Sequence, residues 1–122
     1  MKIQESGENY LETILLLTQK NGSVRSIDVA AELDFSKPSV SRAIKILKEA
    51  GMIFVEKSGN IVLTETGRKR AEQVYERHNV ITEFLNTVLD VDIKTAEKDA
   101  CRIEHIISVD TFDKMKKYLS SL

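Results

Sequence analysis

The chain has 122 residues, 42% hydrophobic and 30% charged, which excludes an intrinsically disordered protein and leaves room for one compact domain or two small units sharing a long helix. No apolar run approaches the roughly 20 residues a membrane helix needs, and the opening MKIQESGENY lacks a signal peptide's apolar core, so a cytoplasmic protein with no membrane contact is expected. A net charge of −1 excludes a polycation but hides an uneven distribution: residues 1–70 hold 11 Lys+Arg against 9 Asp+Glu, and residues 71–122 hold 7 against 10.

In chain order, Tyr10, Leu11, Ile14, Leu15 and Leu17 recur at helical spacing and predict a first helix that stops near Asn21-Gly22. Ser26 is the expected N-cap of a short second helix, with Val29, Ala30 and Leu33 on its buried side. After Asp34-Phe35, Ser36 is expected to cap a third helix. Pro38 stands in its first turn, where the missing N–H costs nothing, and Gly51 ends it. Residues 52–63 change period: Met52-Ile53-Phe54-Val55 and Ile61-Val62-Leu63 flank Lys57-Ser58-Gly59-Asn60 and predict a hairpin. Thr64 caps a long helix, about 65–88. A fifth helix carries Ile93, Ala96, Ala100, Ile103, Ile106 and Ile107, and Asp110 is expected to cap a last helix in which Asp113 completes a capping box.

Helix, short helix, turn, helix, hairpin is the order of a winged helix-turn-helix, and the third helix is its expected major-groove reader. Within residues 36–48 there are four basic side chains and no acid. Ser36, Lys37, Pro38, Ser39, Ser41 and Arg42 are the expected DNA-reading positions: hydroxyls reach phosphates and base edges, and arginine reads guanine through two bonds. Lys57, at the hairpin tip, suits a backbone phosphate. Capping alone also accounts for Ser36 and Ser39, and a winged fold used for protein contacts accounts for the order of elements.

Residues 101–105 read Cys-Arg-Ile-Glu-His. On a helix, Cys101, Glu104 and His105 stand at i, i+3 and i+4 and share a face. Thiolate, carboxylate and imidazole are all transition-metal donors. Taken alone, the same stretch reads as a small buried cysteine, a solvated acid and a satisfied histidine. Its company favours the metal: Asn9 and Glu12 share a face of the first helix, and His78 projects from the long one. The one cysteine cannot form an internal disulfide.

These motifs resemble the diphtheria toxin repressor family, which includes iron-dependent repressors and the manganese transport regulator. The resemblance runs from about Glu8 to Tyr118. It is carried by Glu8-Asn9-Tyr10-Leu11-Glu12-Thr13-Ile14, Ser36-Lys37-Pro38-Ser39-Val40-Ser41, Leu63-Thr64-x-x-Gly67, Arg77-His78 and Ala100-Cys101-Arg102-Ile103-Glu104-His105. It implies a mainly α fold: a winged helix-turn-helix over residues 1–63, then a helical metal-binding and dimerisation domain over 64–122, with the long helix as the link. It further implies a repressor of metal-uptake genes that binds a double-stranded operator as a homodimer, joined through its C-terminal helices, when a divalent metal is bound. Cys101, Glu104, His105 and His78 match ligand positions of the family, and Glu12 matches a ligand of manganese-type members. Asn9 stands where the family has Met or Asp, Thr82 where it often has a carboxylate, and Glu97 where iron-type members place a His. The SH3-like C-terminal domain of longer members is absent from this sequence.

Carboxylates and a carboxamide suit Mn(II) and Fe(II), and a thiolate turns preference towards Fe(II), which is therefore expected ahead of Mn(II). Zn(II), Co(II) and Ni(II) are expected to bind in vitro. A different class of reading has Cys101 sensing oxidants without metal, its thiol activated by Arg102. An enzyme is not expected, because no spare general base, oxyanion hole or phosphate loop accompanies the donors.

Overall fold

The computed structural model describes residues 5–122, and for Glu5 the backbone alone. Residues 1–4, part of the opening stretch read above, lie outside the described residues. The chain divides into two compact units, one reaching to Glu72 and one covering Gln73–Leu122.

In the first unit, α1 (Glu5–Asn21), α2 (Ser26–Leu33) and α3 (Lys37–Glu49) precede the strands β1 (Ile53–Val55) and β2 (Ile61–Leu63). α1 buries Leu11, Ile14 and Leu15 almost completely, and Val24, Val29, Val40, Leu47 and Ile61 close the core around them. The strands pair antiparallel with Ile53 opposite Leu63 and Val55 opposite Ile61. Asn60 fastens this wing to the α1–α2 connection: its Oδ1 accepts from Val24 N–H at 2.9 Å, and Ile61 N–H donates to Val24 O at 2.7 Å. This arrangement is the expected winged helix-turn-helix.

Most of the predicted ends hold. Gly22 and Gly51 adopt positive φ just past α1 and α3, a backbone that glycine adopts at no steric cost. Ser36 caps α3, with Pro38 in its first turn. Two caps differ. α2 is capped at Arg25 rather than Ser26: the Arg25 N–H donates to Asp28 Oδ2 at 2.9 Å, so the reciprocal acid sets the boundary one residue earlier. The last helix is capped by Ser108 rather than Asp110: Ser108 Oγ accepts from Thr111 N–H at 3.1 Å.

α4 (Glu65–Thr87) begins in the first unit and ends in the second. Thr64 Oγ1 accepts from Gly67 N–H at 3.1 Å and donates to Gly51 O at 2.7 Å, joining the helix start to the end of the α3–β1 turn. Gly67 explains the spacing of Leu-Thr-x-x-Gly: a Cβ there meets the Met52 carbonyl oxygen at 1.9 Å and its carbon at 2.8 Å. Backbone cannot give way as a flexible side chain can, so Gly67→Ala is expected to cost about 3 kcal/mol through overpacking. Urea unfolding reads this directly; an unchanged midpoint removes Gly67 from the packing account.

The second unit holds the rest of α4, α5 (Ile93–Ile103) and α6 (Val109–Ser120). Ile81, Ala100 and Phe112 form its core, with Val80, Leu85, Ile103, Ile107 and Met115 packed against them. Ala96 and Ala100 are fully buried, so the face of α5 turned inward is a small-residue one. Asp92 caps α5 through Lys94 N–H. The helix ends at Ile103, short of the predicted continuation, and Ile106 stands 74% exposed rather than inside. Among the described residues no helix is long and apolar enough to cross a membrane.

Candidate metal centre

Glu104 is the C-cap of α5. Its N–H still donates to Ala100 O at 2.9 Å, after which the chain tightens through Ile106 N–H to Ile103 O at 3.1 Å. That ending directs a carboxylate inward. Glu104 is 0% exposed, an expensive place for an anion unless positive charge or good donors meet it.

Two imidazoles do meet it. His78, from α4, lies with Nδ1 2.8 Å from Glu104 Oε2, a hydrogen bond in the tautomer protonated at Nδ1. His105 Nε2 lies 3.3 Å from Oε1, and the His105 side chain is almost wholly enclosed. Glu104 Oε1 is buried without a well-aligned hydrogen bond among the described residues. A buried carboxylate in that condition, with an imidazole nitrogen at each oxygen, fits a divalent cation, which supplies positive charge and accepts a lone pair where protein donors fall short.

The other expected ligands separate by burial. Glu12 is 7% exposed on α1, and Glu8, one turn earlier on the same face, is 5% exposed. Arg70 Nε donates to Glu8 Oε2 at 2.7 Å, so that acid already has an internal cation. The pair is a feature the sequence reading missed, although Glu8 and Glu12 at i, i+4 carried the hint. Asn9 is half-buried and its backbone carbonyl accepts from Thr13 Oγ1. Cys101 is exposed, beside Lys98, Asp99 and Arg102, so it does not share the buried environment of Glu104. The helix wheel put Cys101, Glu104 and His105 on one face because it assumed α5 continued; the helix stops before Glu104. Glu97 is exposed. Thr82, one turn after His78, has a buried Oγ1 with no hydrogen bond among the described residues.

On α3, the positions singled out for DNA are Ser36, Lys37, Pro38, Ser41 and Arg42, all exposed, and Ser39, half-buried. Val40, Ile44 and Leu47 take the opposite, buried side. Lys57 stands exposed in the loop between β1 and β2. Tyr10 and Phe35 pack with ring centroids 5.9 Å apart behind the α2–α3 turn. Burial pushes the Tyr10 phenol above its ordinary range, and the Arg42 charge draws it part of the way back.

Comparison with known proteins agrees with both halves. Residues 2–61 match the iron dependent repressor N-terminal DNA binding domain, and residues 64–122 match the iron dependent repressor metal binding and dimerisation domain. An HTH-type transcriptional regulator of Methanocaldococcus jannaschii is 30% identical over 96% of this chain and 94% of its own length. The transcriptional regulator MntR of Escherichia coli O6:H1 is 34% identical over 91% of this chain and 71% of its own. The crystal structure of the metal-dependent transcriptional regulator MtsR superposes with a TM-score of 0.87 at 26% identity, over 93% of this chain and 53% of that one. The chain thus spans about half the length of solved regulators it resembles. Carrying the DNA-binding domain and the metal-binding and dimerisation domain in their usual order, the chain belongs to the iron-dependent repressor family of metal-dependent transcriptional regulators.

Proposed function

We propose that this protein represses metal-uptake genes in the cytoplasm by binding a double-stranded operator as a homodimer when Mn(II) or Fe(II) is loaded. The observation that carries the reading is the fully buried Glu104 carboxylate between His78 and His105. In this reading residues 1–63 contact DNA and residues 64–122 hold the metal and dimerise. Glu104, His78 and His105 form the inner donor set, and Glu12 adds a carboxylate from α1. Asn9, Cys101 and the exposed Glu97 are outer candidates. When bound, the cation supplies the positive charge that clustered carboxylates lack.

The rest is the work of the chain. Glu12 and Glu104 are acids from different units, and in this reading a bound cation would meet the charge of both. With their charge met, both carboxylates are held in place, and the reading helices gain a fixed spacing. A coupling of about 1–3 kcal/mol is enough to change operator affinity about 5- to 150-fold.

The preference for Fe(II) rested on a thiolate. With Cys101 exposed, the inner donors are oxygen and nitrogen, which serve Mn(II) and Fe(II) alike. Cys101→Ser is therefore expected to leave Mn(II) affinity within about twofold, since a surface thiol outside the inner set contributes little to a hard cation. Loss of the free Mn(II) electron paramagnetic resonance signal on titration with protein tests binding, and anaerobic competition with Fe(II) orders the two metals. No loss of signal removes the metal reading. A large drop in Cys101→Ser affinity moves the thiol into the shell.

Arg42→Ala is expected to weaken operator binding by about 1–3 kcal/mol and leave Mn(II) affinity unchanged. Gel-shift and metal titrations on one preparation decide it: unchanged DNA affinity takes Arg42 off the reading surface.

A further inference from the structure

The start of α3 carries a hydrogen-bond chain that the DNA-binding reading does not by itself require. Ser36 Oγ–H donates to Ser39 Oγ at 2.9 Å, and Ser36 Oγ accepts from Ser39 N–H at 3.3 Å. Arg42 Nη2 donates to the same Ser39 Oγ at 3.3 Å. Ser36, Ser39 and Arg42 edge an open groove of about 470 Å³ whose other wall includes Tyr10, Phe35 and Ile46.

Donor and acceptor accounting narrows what each side chain has left. A serine hydroxyl offers one hydrogen and two lone pairs. Both lone pairs of Ser39 are taken, one by Ser36 and one by Arg42, so only its hydrogen remains. Ser36 has spent its hydrogen on Ser39 and keeps a single lone pair. Phosphate oxygens offer no hydrogen to a lone pair, so Ser36 is withdrawn from backbone contact. Arg42 is exposed and keeps the rest of its guanidinium donors. The Ser39–Arg42 pair therefore shows donors only, with no acceptor.

Resting on the DNA-binding reading, we propose that Ser39 is a positioning residue which, anchored by Ser36, holds the Arg42 guanidinium so that this donor-only pair selects a guanine in each operator half-site. Guanine alone presents two adjacent acceptors, O6 and N7, on its own major-groove edge, with no donor or methyl group on that base. Adenine and cytosine present an amino group that opposes a donor-only face, and thymine presents one acceptor beside a methyl. Fixing the arginine before contact reduces the rotamer freedom lost on binding, so the anchor raises discrimination rather than total charge attraction.

The test is selection from a random duplex pool with the full chain in Mn(II), using wild type, Ser39→Ala, Ser39→Thr and Arg42→Lys. Wild type is expected to enrich one guanine per half-site by about tenfold or more over other bases. Ser39→Ala is expected to lower that preference about 2- to 5-fold, with the melting temperature read beside it to report folding. Ser39→Thr keeps the hydroxyl and is expected to restore the preference, whereas Arg42→Lys loses the planar fork and the preference with it. Equal guanine enrichment by wild type and Ser39→Ala, or enrichment of another base, overturns the proposal and leaves DNA binding standing. A wild-type protein that enriches no sequence overturns both.

Discussion

Glu104→Gln is expected to weaken Mn(II) binding by at least about 100-fold, more than the loss of an outer-shell partner costs. The amide keeps the shape of the side chain and an oxygen for His78 Nδ1–H, but it removes the buried negative charge on which the centre is built. The metal-free variant is expected to fold, since a buried anion is itself a burden in the empty protein. Thermal unfolding supplies a readout separate from DNA. Ligand at about 100 times its Kd stabilises a protein by about 2.7 kcal/mol, so wild type should gain that much with Mn(II) and Glu104→Gln almost none. An equal shift in both proteins would place the cation elsewhere.

The second large effect concerns coupling. Glu12 stands on α1, in the unit that carries the reading helix, whereas Glu104 and His78 stand in the other. Glu12→Gln is therefore expected to retain Mn(II) binding through His78, Glu104 and His105 at reduced affinity. At saturating Mn(II) its operator affinity should remain at the metal-free level, forfeiting the whole 5- to 150-fold response. The pattern to look for is metal bound and DNA response lost. Full stimulation of Glu12→Gln by Mn(II) would show that α1 supplies no ligand and that the response has another route.

Much of this was legible in the residues. The helical period of α1 and α3, the Ser36 cap with Pro38, and the hairpin around Gly59 follow from local rules, because each depends on neighbours within a few positions. Thr64-x-x-Gly67 was visible as a motif, but its reason was not: the clash with the Met52 carbonyl is a contact across the fold. The C-terminal end of α5 was misjudged for the same kind of reason. Periodicity continues through Ile106 and Ile107, yet the chain turns at Glu104 and sends that carboxylate inward while leaving Cys101 outside. A helix wheel cannot register where a helix stops, so it joined Cys101 to two donors from which the fold separates it by burial. Arg25 and Ser108 as caps show the same limit at the one- to two-residue scale.

Placing Glu104 between His78 and His105 also bears on the oxidant reading. Cys101 is exposed, with Lys98 and Arg102 beside it, but the buried donors do not include it. Peroxide titration of operator binding in chelator separates a thiol response from a metal response, because chelator leaves only the former in play.

The most direct measurement is operator affinity of the full chain under anaerobic conditions, with Mn(II), with Fe(II) and with chelator in parallel. The account predicts that either metal tightens binding about 5- to 150-fold over chelator, and that Glu104→Gln abolishes the difference. Equal operator affinity in metal and in chelator would contradict it, leaving a winged DNA-binding protein whose buried carboxylate serves some other end.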